Sequence, residues 1–156
     1  GGSKGIGFAI ATRFAGSGAD VAILARGRSA LDEAVKTIGA GGGGRVVGIQ
    51  GDVANAAYVR RAYDEAMGKL GKIDIVVNNA GTSATSTFEK LTDEFLQQDF
   101  DQKLFAAIRL TRLVWPQMKE RRWGRIHSAR CLSVSWTSFT TGMTSSSSVS
   151  WRERWP

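Results

Sequence analysis

Short apolar runs alternate with helix-length stretches along most of this chain, and that alternation constrains its fold more than any other feature. The runs 21–24, 45–49 and 73–77 are too short for helices and read as buried strands. Between them, 29–38 and 55–70 carry helical spacing, the second with Ala57, Ala62, Ala66 and Leu70 on one face and Gly71 at its end. Residues 5–14 open as a glycine loop and continue as a helix with Ile6, Ile10 and Phe14 on one face, stopped by Gly16 and Gly18. Ser29 with Asp32 makes an N-cap pair for the 29–38 helix. Thr92 caps a further helical stretch, with Asp93 and Glu94 in its first turn. A long helix is expected from Asp101 to Arg121, with Leu104, Ile108, Leu110, Leu113 and Met118 as its apolar stripe and a kink at Pro116. Residues 125–128 read as a fourth strand. Strand–helix repetition of this kind gives an α/β fold built on a parallel sheet.

Composition narrows the classes of function. Hydrophobic residues make up 42% and charged residues 22%, as in a water-soluble globular domain. No apolar run approaches the roughly 18 residues that span a bilayer, so no membrane partner is expected. The single cysteine, Cys131, allows no intramolecular disulfide, and a cytoplasmic location is the default. The net charge of +7 favours anionic partners. A nucleic-acid reading would rest on Arg109, Arg112, Lys119, Arg121, Arg122, Arg125 and Arg130. Most of these fall on the expected long helix, where charges mark a solvated face. With no zinc or aromatic-interleaved pattern beside them, nucleic acid is disfavoured.

The chemistry starts at Gly1-Gly2-Ser3-Lys4-Gly5-Ile6-Gly7. Glycines are needed where backbone turns tightly and approaches a pyrophosphate closely. The helix opening at this loop offers free N–H groups and the positive end of its dipole to the anion.

Three further motifs come in order: Asp52-Val53 after the second apolar run, Asn78-Asn79-Ala80-Gly81 after the third, and residues 106–112 with Trp123-Gly124-Arg125-Ile126 beyond them. Together with Gly1-x-x-x-Gly5-Ile6-Gly7 they resemble the short-chain dehydrogenase/reductase family over residues 1–126. The resemblance implies an incomplete Rossmann-like doubly wound parallel sheet, with helices on both faces. It implies a dinucleotide cofactor and a small carbonyl or alcohol substrate. The cofactor-binding residues would be Gly1, Ser3, Lys4, Gly5, Ile6, Gly7, Arg26, Asp52, Val53, Asn79, Ala80 and Gly81. The long helix would pack in a homo-oligomer. Where NAD-binding folds carry an acid at the end of the second strand, this chain has Ala25 and Arg26, with Arg28 close by. No carboxylate there repels a 2′-phosphate, and a guanidinium fork can pair with one, so NADP(H) is favoured over NAD(H).

The family's catalysis rests on a Tyr-x-x-x-Lys pair and an upstream Ser, the ammonium lowering the phenol's pKa so that it can act as a base. Only Tyr58 and Tyr63 occur, both in the 55–70 helix, with Ala62 and Met67 at the Lys positions. No Tyr or Lys occurs after Lys119. If the Ser position falls near Cys131, the Tyr and Lys positions fall near Thr144 and Ser148. Ser133 is a weak substitute in a serine-rich stretch. A helical Asn of the family aligns with Lys103, which could substitute for it in a divergent subfamily but is expected here as an exposed helix lysine. The catalytic residues are therefore unassigned, and the chain is expected to be inactive as it stands. Residues 127–156 depart in composition, with the run Ser145–Ser148 and Trp136, Trp151 and Trp155. They read as a divergent, weakly ordered tail of the kind a reading-frame shift produces. The chain also opens inside the glycine motif, so the sheet is expected to lack the strand that would lie between those at Val21 and Ile73.

Overall fold

The structure, a computed structural model, describes residues 1–81 and 91–128. In chain order the elements are α1 (Gly5–Gly16), β1 (Val21–Ala25), α2 (Arg28–Ala40), β2 (Val46–Gln50), α3 (Ala56–Leu70) and β3 (Ile75–Asn78). After the 82–90 segment come α4 (Asp93–Phe100), a π-helical turn (Asp101–Phe105), α5 (Ala106–Glu120) and β4 (Arg125–Ser128). The strands form two parallel pairs. β1 lies beside β2 with Val21 opposite Val46, and β3 lies beside β4 with Ile75 opposite Arg125. Among the described residues no ladder joins the two pairs. This is the interrupted sheet expected from the sequence.

Helices cover both faces, because successive strand residues point opposite ways. Ile23 and Ala25 pack with Ala11 and Ala15 of α1 and with Leu31 and Ala34 of α2. Leu24 and Val47 instead join Ile49 against Ala62 and Ala66 of α3. In the second pair, Val76 packs on Val114 and Met118 of α5. Among the described residues no helix is long and apolar enough to cross a membrane.

Several helices sit in a different phase from the one expected. The buried face of α1 is Gly7, Ala11 and Ala15, small residues that let the helix approach β1 closely. Ile10 and Phe14 instead line a cavity between β1 and β3, and Ile6 is 54% exposed. α2 begins at Arg28 with Gly27 as its N-cap, so Ser29 lies inside the first turn and caps nothing. Asp32 pairs with Arg28 at 2.9 Å rather than completing a capping box. α3 starts as the sequence suggests, its Asn55 Oδ1 accepting from the N–H groups of Ala57 and Tyr58. Its stripe, however, is Val59, Ala62 and Ala66, with Ala57 in the solvent-facing first turn.

The long helix starts earlier than expected. α4, the π turn and α5 form one helical track from Asp93 to Glu120. The π turn adds a residue to the repeat and so rotates α5 about the track's axis. The inward stripe is consequently Ala106, Leu110, Val114 and Met118, while Leu104 is 37% exposed. Pro116 lies inside α5. At the C-terminal end of α5, Arg121 bonds to the Ile73 carbonyl at 2.9 Å and pairs with Asp74, tying the helix to the start of β3.

Burial pushes the Asp74 carboxyl up, but the hydrogen bonds and charges of Arg121 and Lys72 outweigh it and hold the group below its ordinary value of 3.8. Its folded pKa is depressed, so the contribution is present above the unfolded value and lost as pH falls below it. The stability gap between wild type and Arg121→Gln should hold at neutral pH and narrow below about pH 4. Urea titrations at a series of pH values measure it, and a gap independent of pH would contradict this role. Leu31, fully buried between α2 and the first strand pair, should cost about 2–5 kcal/mol when changed to Ala. Denaturant unfolding would show it as a lower midpoint with little change in slope.

Candidate dinucleotide site

The glycine loop is fastened at both sides of the interrupted sheet. The Gly1 amine and the Gly2 N–H both donate to the Leu24 carbonyl of β1, at 2.6 and 3.1 Å. On the other side, Asn79 Nδ2 donates to the Gly1 carbonyl at 3.1 Å. Asn79 comes directly after β3, so one residue of the loop joins the C-terminal ends of β1 and β3. That bond also fixes the orientation of the Asn79 amide, since only its nitrogen can donate. Asn79 Oδ1 is left buried with no partner.

Gly7 is required by this closeness. A Cβ there would overlap the Gly1 carbonyl and sit 2.6 Å from Asn79 Nδ2. Gly5 has φ +57 but open space around it, so its requirement is conformational rather than steric. Lys4 is the N-cap of α1 in extended backbone and supplies no side-chain cap. The first turn of α1 thus has no capping side-chain oxygen from its N-cap residue.

Charge around the loop is positive. Arg26 comes immediately after β1, is exposed, and has no carboxylate partner among the described residues. Gly1 keeps a side open to solvent. Arg28 is less available, being paired with Asp32.

Of the residues expected to bind cofactor, the structure brings Gly1, Gly7, Asn79 and Ala80 into direct proximity. Ser3, Lys4, Gly5 and Ile6 continue the loop into α1, and Gly81 adjoins Ala80. Asp52 sits just beyond β2, where its Oδ1 accepts the Ala54 N–H at 3.0 Å and shapes the turn into α3. Val53 lines the cavity that the glycine loop also borders.

Two residues at this end escape a reading of the sequence. Gly2 packs against Ile23, where a Cβ would come within 2.8 Å of the Ile23 Cβ. The paired glycines are its only signal. Lys103, expected to be exposed, has a side chain only 5% exposed that pairs with Asp99 at 2.6 Å, beside the same cavity. The i, i+4 spacing of Asp99 and Lys103 is the available clue, and the carboxylate is what makes burial of the ammonium tolerable. The basic cluster weighed for nucleic acid is partly consumed inside the protein. Arg109 bonds the Ala54 carbonyl at 2.8 Å and Asp101 at 3.1 Å, and Arg121 is committed to Asp74. Cys131, Ser133, Thr144 and Ser148 lie outside the described residues, as does Arg130. Tyr58 lies on α3 beneath the Arg61 guanidinium, and Tyr63 packs against the Val76 cluster.

The family model for short chain dehydrogenase matches residues 1–132. The chain belongs to this family. It is similar to the ketoacyl reductase HetN of Nostoc sp., at 36% identity over 126 residues, covering 81% of this chain and 44% of that one. Among solved structures it resembles the L-sorbose reductase of Gluconobacter frateurii complexed with NADPH and L-sorbose. The TM-score is 0.78 at 37% identity, covering 82% of this chain and 49% of that one. A 7α-hydroxysteroid dehydrogenase complexed with NADH matches with a TM-score of 0.77 at 30% identity, over 82% of this chain and 49% of that one. The chain therefore spans about half the length of these relatives.

The two glycines separate steric from conformational demand. Gly5→Ala should cost about 1–2 kcal/mol, the ordinary penalty of a left-handed alanine. Gly7→Ala should cost clearly more, about 3 kcal/mol or above, because the backbone itself must move. Equal losses in chemical denaturation would show that the Gly1–Gly7 contact is not tight.

Proposed function

We propose that this chain forms the dinucleotide-holding part of a cytoplasmic NADP(H)-dependent oxidoreductase acting on a small carbonyl or alcohol. The observation that carries this reading is Arg26. It stands exposed at the end of β1, with no carboxylate partner among the described residues, beside a glycine loop drawn tight against Asn79. A guanidinium there suits the extra phosphate of NADP(H), and a carboxylate would suit the free ribose hydroxyls of NAD(H). Gly1, Ser3, Lys4, Gly5, Ile6 and Gly7 would hold the pyrophosphate, with Lys4 adding charge. Asp52 and Val53 would border the adenine, and Asn79, Ala80 and Gly81 would lie along the cofactor. Bound NADP(H) would supply or accept the hydride.

The chain's own residues supply binding and orientation but no recognisable proton-transfer pair. Tyr58 and Tyr63 are both held on α3, away from a Tyr-x-x-x-Lys arrangement. Lys103 is already committed to Asp99. The reading is therefore of a binding module without turnover on its own. Assembly through the α4–α5 track fits the exposed Phe105 and Trp115 on it.

Calorimetric or fluorescence titration should show NADPH binding more tightly than NADH. Arg26→Asp should weaken NADPH by about 1.5–3 kcal/mol, roughly 10- to 150-fold, and spare NADH. Equal loss of both cofactors, or no loss of either, would remove Arg26 from the phosphate site.

A further inference from the structure

Arg26 occupies a gap in the regular backbone bonding. The last bond between β1 and the chain leaving β2 runs from the Gly51 N–H to the Ala25 carbonyl, at 3.0 Å. The first bond of α2 runs from the Leu31 N–H to the Gly27 carbonyl, at 3.1 Å. Arg26 lies between them. Gly27, the N-cap of α2, has no side chain with which to brace the junction.

The peptide that follows Arg26 is held from β2 instead. Gln50 Nε2 donates to the Arg26 carbonyl at 3.0 Å. Strand alternation puts Gln50 there. Val46 packs with the Leu31 cluster, and a Cβ on Gly48 would meet Leu31 and Val35, so positions 46 and 48 face α2. Position 50, the last of β2 and opposite Ala25, falls on the same face, where the chain crosses from β1 to α2. Gln50 is held in turn. Arg61 Nη2 of α3 donates to its carbonyl at 3.0 Å, and the Arg61 guanidinium lies 4.5 Å from the centre of the Tyr58 ring. A neutral amide suits this place. It donates to a carbonyl without bringing a carboxylate that would pair with Arg26 or repel a phosphate.

We propose, on the reading of this chain as an NADP(H) holder, that Gln50 is a positioning residue for cofactor selection. By holding the Arg26 carbonyl it sets the direction from which the Arg26 guanidinium meets the 2′-phosphate. A fixed peptide after Arg26 fixes that residue's ψ, and so limits the directions its long side chain can take. A guanidinium aligned in advance loses less freedom when it forks around a phosphate. Gln50 acts through Arg26 alone, so its contribution goes to NADP(H) and not to NAD(H).

Calorimetric titration of the whole chain with NADPH and with NADH tests this, the quantity read being the ratio of the two Kd values. Gln50→Met keeps the length of the exposed side chain and removes its donor. It should weaken NADPH by about 2- to 10-fold, the range of one hydrogen bond, and spare NADH. Gln50→Glu should weaken NADPH further, because its carboxylate would sit beside Arg26. In an Arg26→Ala background, Gln50→Met should leave the ratio unchanged, since no guanidinium is left to position. A merely structural loss would weaken both cofactors alike and would persist in that background, and either result would overturn the proposal. If Arg26→Asp removes the NADPH preference while Gln50→Met leaves it intact, the positioning role falls and the cofactor reading stands. If the wild-type chain shows no NADPH preference, both fall together.

Discussion

One glycine carbonyl and one asparagine side chain tie the C-terminal ends of β1 and β3 together, while the packing of Tyr63 of α3 with Val76, Val114 and Met118 and the bond from Arg109 to the Ala54 carbonyl join the two strand pairs elsewhere. The bond from Asn79 to Gly1, with the bonds from Gly1 and Gly2 to Leu24, bridges a sheet that no strand ladder spans among the described residues. That bridge holds the loop close to the end of β3, and α1 follows directly from the loop. The same bridge explains the need for glycine at position 7, since any side chain there would push Gly1 away from Asn79.

Much of the architecture is legible in residues 1–81, because local signals there agree with one another. The apolar runs form strands within a residue or two of the expected bounds, Asn55 caps α3, and Gly71 ends it with φ 78. Helix azimuth is not legible in the same way. Periodicity finds an apolar face but not which part of it meets the sheet. In α1 the small residues take the core because the tight loop brings the helix in close. In the α4–α5 track the π turn breaks the repeat, and nothing in the local pattern announces such a turn. The capping box at Ser29 fails for a simpler reason: the chain leaves β1 through Gly27 and enters the helix at once.

The family is legible from motifs at family spacing, and the contacts at the candidate site are not. That Asn79 bonds a glycine some eighty residues earlier in the chain is a tertiary fact. So is the burial of Lys103, which a surface-helix reading misplaces. Charge carries further than pattern does. Arg26 stands exposed at a strand end, with no carboxylate partner among the described residues. Other arginines of the basic cluster are spent on structure, Arg109 on the Ala54 carbonyl and Arg121 on Asp74. The basic net charge thus includes arginines that fasten helices to loops as well as Arg26, exposed at the end of β1.

On the proposed function, the loop, the end of β3 and Arg26 would face the phosphates of NADPH as one surface. Amide and side-chain NMR of the labelled chain, titrated with NADPH, checks this. The amides of Gly2, Ile6 and Gly7, the Asn79 side-chain NH2 and the Arg26 guanidinium should shift together along one binding curve. Shifts confined to the exposed face of α5, with the glycine loop and Asn79 unmoved, would place the cofactor elsewhere.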